Sequence, residues 1–244
     1  MPDIGEPALI AGASGGLGRE LAIKFSHIRY GDPRVTDIHI PSNHVILSGR
    51  NMRALEYTRD RCADPANTTI VCGDLNDGDV LRQLRSFAHL YAIRYLICSA
   101  GEYLSGPLES RTSEEISDNL ASNLAAIKLV REIYPVMLEY RTGTIVNINS
   151  VAGKNIAPDE CVYSASKHAL TGFFKSLRME ARKRNIRIMD VFPGGMNTPM
   201  AASRADKDYF ISPQEAAQII HLNATSSHST VAVEELTLGR CRFQ

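Results

Sequence analysis

The sequence predicts a doubly wound α/β fold, because short apolar runs alternate with longer amphipathic stretches along all 244 residues. Near-continuous apolar runs are typical of strands that are buried on both faces, as in a parallel sheet. Alternation of strands with helices favours right-handed crossovers that place helices on both faces of that sheet. No linker or repeat divides the chain, so we predict a single domain over residues 1–244.

Seven strands and six helices are expected in order. The predicted strands are rich in β-branched residues and occupy 7–12, 44–49, 68–73, 94–101, 143–150, 186–194 and 231–238. The predicted helices occupy 16–28, 51–62, 79–90, 123–140, 163–184 and 213–222. The connection at about 28–43 is much longer than the roughly two to six residues that are usual. We interpret it as an extended surface loop, either a decoration or a contact for a partner.

Composition excludes several classes of protein. The 27 basic and 27 acidic residues balance, which gives no reason to expect a nucleic acid or an anionic membrane as partner. No apolar run approaches the roughly 20 residues that cross a bilayer, and the N-terminus does not have the pattern of a secretory signal. Five dispersed cysteines without a C-x-x-C pair indicate reduced thiols and a cytoplasmic location. The histidines form no ligand cluster, so no metal site is expected.

A glycine-rich turn, "GASGGLG" at 12–18, follows the first predicted strand and opens a helix. Such a turn lets a dinucleotide pyrophosphate approach the backbone and the positive end of the helix dipole. The glycines fit G-x-x-x-G-x-G and G-x-x-G-x-x-G, and neither is the G-x-G-x-x-G pattern. A turn without a ligand is the alternative, but four glycines directly after the first strand favour a dinucleotide site.

A tyrosine and a lysine, Tyr163 and Lys167, are four residues apart in a predicted helix. This spacing places both side chains on one face, with Cβ atoms about 5–6 Å apart. A neighbouring cation favours the phenolate and lowers the pKa of a tyrosine. Taken alone, the pair is more typical of an ordinary surface helix, so its chemistry depends on the surrounding motifs.

Together, the glycine turn, Asn147 to Ser150 and "YSASK" at 163–167 resemble the short-chain dehydrogenase/reductase superfamily, from Ala8 to about Leu238. The resemblance implies a Rossmann-like fold and hydride transfer between a ketone or aldehyde and its alcohol. It assigns Tyr163 as general acid/base and Lys167 as the residue that lowers its pKa. It also implies that Ser150 polarises the substrate oxygen.

The resemblance further assigns Asn123 as the asparagine that anchors a water-mediated proton relay behind the lysine. Asn119 is the less favoured alternative, because the apolar helix run begins after Asn123.

The resemblance also implies a set of cofactor contacts at the ends of several strands. They are Gly12, Ser14, Gly16, Leu17, Gly18, Asp74, Leu75, Ser99, Ala100, Gly101, Asn123, Tyr163, Lys167, Pro193, Gly194, Met196 and Thr198.

The end of the second strand predicts which nicotinamide is used. Relatives that prefer NAD present an acid there to the ribose 2′-OH. In this chain Gly49 occupies that place and Arg50 follows it. A guanidinium pairs well with a 2′-phosphate, so we predict NADP(H) and include Arg50 among the cofactor contacts.

The chain departs from the family pattern at several places. Ala11 replaces a threonine, and Cys98 and Ser99 replace two asparagines. The segment at 201–212 is short and predicts a small lid over an open site. Candidate substrate-pocket residues are Glu102, Tyr103, Ile156, Met196 and Tyr209, which suggest a cavity of mixed polarity.

We therefore predict an NADP(H)-dependent oxidoreductase that acts on a small-molecule ketone, aldehyde or alcohol. One alternative is a non-catalytic NADP(H) sensor, which has no need for Ser150, Tyr163 and Lys167 together. Another is an epimerase or dehydratase of the extended branch, which generally has a larger C-terminal domain. The helices at 123–140 and 163–184 match those that pair between subunits in the resembling family, so a homodimer is expected.

Overall fold

The computed structural model describes residues 6–27, 43–201, 210–226 and 231–240. In these ranges seven strands form one sheet in which every neighbouring pair is parallel. The strands are β1 Ala8–Ala11, β2 Val45–Gly49, β3 Thr68–Cys72, β4 Tyr95–Cys98, β5 Gly143–Ile148, β6 Ile186–Pro193 and β7 Glu235–Leu238. The helices are α1 Gly16–Ser26, α2 Met52–Arg59, α3 Gly78–Leu90, α4 Ser113–Tyr140, α5 Cys161–Ala181 and α6 Pro213–Thr225.

The strand order is β3-β2-β1-β4-β5-β6-β7, which confirms the predicted doubly wound fold. The chain runs from β1 outward to β3, then returns to place β4 on the other side of β1. This reversal creates a crevice outside the carboxyl ends of β1 and β4, the position where ligands bind in open α/β sheets. The topology therefore places the glycine turn after β1 next to the segment that follows β4.

Two apolar cores hold the sheet, one on each face. On one face Leu84 of α3, Leu129 of α4 and Phe174 of α5 are fully buried. On the other face Leu21 of α1 and Ile220 of α6 are fully buried. Because helices cover both faces of the sheet, the near-continuous apolar strands are buried on both sides. Polar groups lie at the carboxyl edge of the sheet instead.

The predicted start of the fourth helix was wrong, since α4 begins at Ser113 and not at residue 123. A capping box starts it: the Glu115 amide donates to the Thr112 hydroxyl at 3.1 Å, and the Thr112 amide donates to the Glu115 carboxylate at 2.8 Å. The first turns are largely polar, so apolar periodicity does not reveal them. The last strand was also predicted too long, because β7 begins at Glu235 and not at residue 231.

Several other predictions concern features outside the sheet. The loop at 28–43 lies outside the described residues apart from residue 43, and so does most of the short segment at 201–212. None of the helices in the described ranges is long and apolar enough to cross a membrane. The part of the chain that the structure describes contains no group of three or more His, Cys, Asp or Glu side chains suited to a metal ion.

Candidate active site at the carboxyl edge of the sheet

A cleft of about 470 Å³ opens at the carboxyl edge of the sheet. It collects side chains from the ends of six strands and from the start of α5. Of the predicted site residues it is lined by Gly12, Ser14, Gly16, Leu17, Gly18, Arg50, Asp74, Leu75, Ser99, Ala100, Gly101, Ser150, Tyr163, Lys167, Pro193, Gly194, Met196 and Thr198. The predicted residue Asn123 is not part of this lining.

The glycine turn brings the backbone of β1 against the segment after β4. Gly12 has a φ of 87°, and a Cβ there would lie 2.6 Å from the Ala100 amide nitrogen. A Cβ on Gly18 would collide with the Gly12 carbonyl oxygen, and one on Gly16 would collide with the Thr198 side chain. These approaches leave room only for backbone, and the N-terminus of α1 opens into the cleft with its amide groups available to an anion.

The end of β2 carries no acidic side chain and is closely packed at Gly49. A Cβ on Gly49 would lie 2.7 Å from the Ser14 hydroxyl oxygen. The neighbouring Ser48 hydroxyl is buried, lines the cleft and has no hydrogen-bond partner among the residues that the structure describes. Arg50 reaches across the crevice instead and forms an ion pair with Glu102.

The three predicted catalytic side chains meet on the opposite side of the cleft. Ser150 follows β5, and its hydroxyl accepts a hydrogen bond from the Ala152 amide at 3.1 Å. Tyr163 and Lys167 lie on the first turns of α5, where the ammonium is 5.5 Å from the centre of the phenol ring. Both side chains are buried, at 9% and 4% exposure.

Burial is the largest cause of the pKa shifts of both Tyr163 and Lys167. It raises the pKa of Tyr163 to about 12, although hydrogen bonding with Ser150 acts in the opposite direction. Burial also lowers the pKa of Lys167 to about 8, and the negative charge of Asp190 opposes that shift. The predicted lowering of the tyrosine pKa by Lys167 stays a prediction. The ammonium lies over the phenol ring, and burial of the hydroxyl is the largest cause of the raised pKa of Tyr163.

Asn123 lies behind the cleft wall, with Asn119 one helical turn before it. The Asn123 amide nitrogen donates to the Glu102 carbonyl at 2.9 Å and to the Asn119 side-chain oxygen at 3.1 Å. Asn119 donates to the same carbonyl at 3.1 Å, and the Glu102 amide donates back to Asn123 at 3.2 Å. The reason for separating these asparagines was wrong, because α4 contains both, and together they fix the chain that follows β4.

Two acidic residues near the catalytic side chains were missed from the sequence. Glu160 immediately precedes α5, lines the cleft and accepts a hydrogen bond from the Tyr103 hydroxyl at 2.7 Å. Asp190 lies in β6, is fully buried and accepts from the Asn147 amide at 2.6 Å. A charged residue inside an apolar strand run was the available signal for Asp190. Only the spacing to Tyr163 pointed to Glu160.

The predicted substrate-pocket residues have mixed outcomes. Glu102, Tyr103 and Met196 line the cleft. Ile156 is not part of the lining and is 86% exposed, so its inclusion was wrong. It lies in the segment that precedes α5. Tyr209 lies outside the described residues.

Comparison with known proteins agrees with this arrangement. A family profile described as short chain dehydrogenase matches residues 6–209. The sepiapterin reductase of Chlorobaculum tepidum is 30% identical over 236 residues, covering 94% of this chain and 94% of that protein. A 3-oxoacyl-(acyl-carrier-protein) reductase of Rickettsia conorii is 35% identical over 205 residues, covering 83% of this chain and 78% of the relative.

A solved metagenomic short-chain oxidoreductase in complex with NADP superposes with a TM-score of 0.77 at 25% identity, covering 98% of both chains. The profile spans most of the sequence, and the fold matches the one that the sequence predicted. The prediction of an oxidoreductase is thereby confirmed, and the chain belongs to the short-chain dehydrogenase family.

Proposed function

We propose that this chain is an NADP(H)-dependent carbonyl reductase that also catalyses the reverse oxidation of an alcohol. The observation that carries the proposal is the meeting of Ser150, Tyr163 and Lys167 in one cleft with the glycine turn. Two relatives of this chain are named as reductases, and a solved neighbour holds NADP. The prediction of the catalytic residues is kept as part of this proposal.

The residues of the cleft fit a dinucleotide phosphate. The closely packed glycines leave a space that side chains would fill, and the buried Ser48 hydroxyl has no hydrogen-bond partner among the described residues. We assign the pyrophosphate to the turn at 12–18, the adenine to Asp74 and Leu75, and the nicotinamide to the segment from Pro193 to Thr198. When bound, the nicotinamide supplies or accepts the hydride.

Arg50 is the proposed contact for the 2′-phosphate. Gly49 lacks the carboxylate that would bind a free ribose 2′-OH, which disfavours NAD(H). Arg50 already binds an anion, the Glu102 carboxylate, across the crevice. A phosphate carries more negative charge and more acceptor oxygens than a carboxylate, so it competes well for the guanidinium.

The protein supplies the proton and stabilises the charge that develops on the carbonyl oxygen. At neutral pH a phenol with a pKa of about 12 is protonated, so Tyr163 is ready to donate to that oxygen. Ser150 provides a second hydroxyl donor, and two donors aimed at one oxygen help most in the transition state. Lys167, with a pKa of about 8, remains charged at pH 7 and stabilises the phenolate left after proton transfer.

The homodimer also remains a proposal. Met179 on α5 and Tyr140 on α4 are large apolar side chains that are 72% and 39% exposed, on the two helices expected to pair. Size-exclusion chromatography with light scattering tests this directly.

The test of function is consumption of NADPH with a panel of ketones, aldehydes and diones. We expect turnover by the wild type and a loss of about 10²–10⁴-fold in kcat for Tyr163→Phe, the range typical of a general acid. Tyr57→Phe is the matched control, because Tyr57 lies on α2, is 45% exposed and does not line the cleft. Full activity in Tyr163→Phe would remove that residue from the mechanism.

The same assay distinguishes the remaining alternatives. A higher kcat/KM with NADPH than with NADH is expected, and a clear preference for NADH would overturn the assignment of Arg50. Tight NADPH binding without turnover of any carbonyl compound would instead favour the sensor.

A further inference from the structure

A carboxylate lines the substrate side of the cleft and has no role in the proposed reaction. Glu160 occupies the N-cap position of α5, where its backbone carbonyl accepts from the Ser164 amide at 2.7 Å. Its side chain does not cap the helix, whereas the N-cap side chains of α2, α3, α4 and α6 all accept a backbone hydrogen bond. The carboxylate therefore does something other than complete its own helix.

Glu160 is held by Tyr103, which contacts the proposed catalytic tyrosine. The Tyr103 hydroxyl donates to Oε1 of Glu160 at 2.7 Å. The Tyr103 ring meets the Tyr163 ring edge-on, with centroids 5.1 Å apart and an angle of 81° between the rings. The carboxylate thus lies one aromatic ring away from the proposed proton donor. All three side chains line the cleft.

The negative charge of Glu160 has no cationic partner in the described part of the chain. None of the ion pairs there involves it, and Oε2 makes no hydrogen bond with the described residues. The basic side chains in the described cleft lining are Arg50 and Lys167. Arg50 pairs with Glu102, and Lys167 is buried under the Tyr163 ring.

This uncompensated charge opposes the proposed reaction. Negative charge develops on the carbonyl oxygen during reduction, and a nearby carboxylate disfavours it. Glu160 also contributes to the raised pKa of Tyr163 and so disfavours the phenolate left after proton transfer. A cation next to Glu160 would remove both penalties and would give the free carboxylate oxygen a charged hydrogen-bond partner.

We propose that Glu160, oriented by Tyr103, binds a cationic N–H donor on the substrate, such as an ammonium or amidinium group near the carbonyl. The inference rests on the proposed reductase function and names the substrate class of the same site. The planar amidinium matches a carboxylate best, because its two N–H groups can donate in parallel. Anionic carbonyl compounds are disfavoured by the same charge.

Three acetophenones of nearly identical shape provide the test: 4-acetylbenzamidine, 4-acetylbenzamide and 4-acetylbenzoate, which are cationic, neutral and anionic. We expect kcat/KM with NADPH to decrease in that order, with the amidine exceeding the amide by about tenfold or more. Glu160→Gln should bring the amidine and the amide to within about threefold of each other, since it replaces the charge and keeps the shape.

Asp159→Asn is the matched control, because it removes a neighbouring carboxylate that does not line the cleft. Asp159 has a φ of 60°, and asparagine tolerates this left-handed conformation. The amidine preference should be unchanged in this variant. An equal loss of preference in both variants would mean that general surface charge produces it, and would overturn the proposal.

The outcomes separate this inference from the proposed function. An unchanged preference in Glu160→Gln, or an enzyme that reduces other ketones but none of these three, contradicts the substrate class while leaving the reductase assignment intact. Absence of turnover with every carbonyl compound contradicts the proposed function itself.

Discussion

Each end of the cleft has a basic side chain that an acidic side chain influences, but the two ends have opposite surroundings. At the adenosine end, Arg50 and Glu102 have side chains that are 59% and 40% exposed. At the catalytic end, Lys167 is 4% exposed and Asp190, the acid that acts on its pKa, is fully buried. Water screens the Arg50–Glu102 ion pair, so it can exchange partners at little cost, whereas burial shifts the pKa values of both Lys167 and Asp190. The exposure of a charged side chain, more than its residue type, decides whether it is suited to bind a charged ligand or has a shifted pKa that serves proton transfer.

The largest effect is expected at the buried end. Lys167→Met removes the charge that stabilises the phenolate, and we expect kcat to fall by about 10²–10⁴-fold. Lys175→Met on the same helix is the control, because Lys175 is 52% exposed and pairs with Glu235. It should change kcat by less than about twofold. A small effect of Lys167→Met on kcat would show that the Lys167 ammonium does not stabilise the phenolate.

An intermediate effect is expected at the exposed end. Arg50→Gln should raise KM for NADPH by about 10- to 100-fold and leave KM for NADH nearly unchanged, because only NADPH carries the 2′-phosphate. Arg53→Gln, an exposed arginine on α2 outside the cleft lining, serves as control. Similar rises in KM for both cofactors would show that Arg50 does not bind the 2′-phosphate.

The pH dependence is a finer probe of the buried end. Burial lowers the pKa of Lys167 to about 8 and Asp190 raises it, so the reductive kcat should fall as the pH rises through about 8. Asp190→Asn removes the supporting charge, so the pKa of Lys167 falls further and the loss of activity begins at lower pH. The asparagine can still accept the Asn147 hydrogen bond, which limits structural change. A midpoint that stays in place or rises would contradict this coupling.

The smallest effect is expected for the acid at the exposed end. Glu102→Gln removes the carboxylate that competes for Arg50, so KM for NADPH should fall by about two- to fivefold. Because this pair is exposed, the difference between wild type and variant should shrink as salt concentration increases. A rise in KM at low salt would indicate that Glu102 orients Arg50 for the cofactor instead of competing with it.

The sequence predicted those parts of the site that depend on local chemistry. The glycines at 12, 16 and 18 were identifiable because only a residue without Cβ allows the approaches seen in the turn. The polar first turns of α4 were missed because apolar spacing detects only the face that packs on a core. The capping residues Thr112 and Glu115 carried the signal for the true start.

The sequence alone determined the strand–helix alternation, the glycine turn and the identity of the tyrosine, lysine and serine, since each depends on residue type and spacing within a short segment. Packing decided what no local pattern contains: how far Tyr163 and Lys167 are removed from water, and which carboxylates face them. The pKa of a group depends on every atom around it, and Tyr103 and Asp190 reach Tyr163 and Lys167 from distant parts of the chain. These neighbours become visible only once the chain is folded.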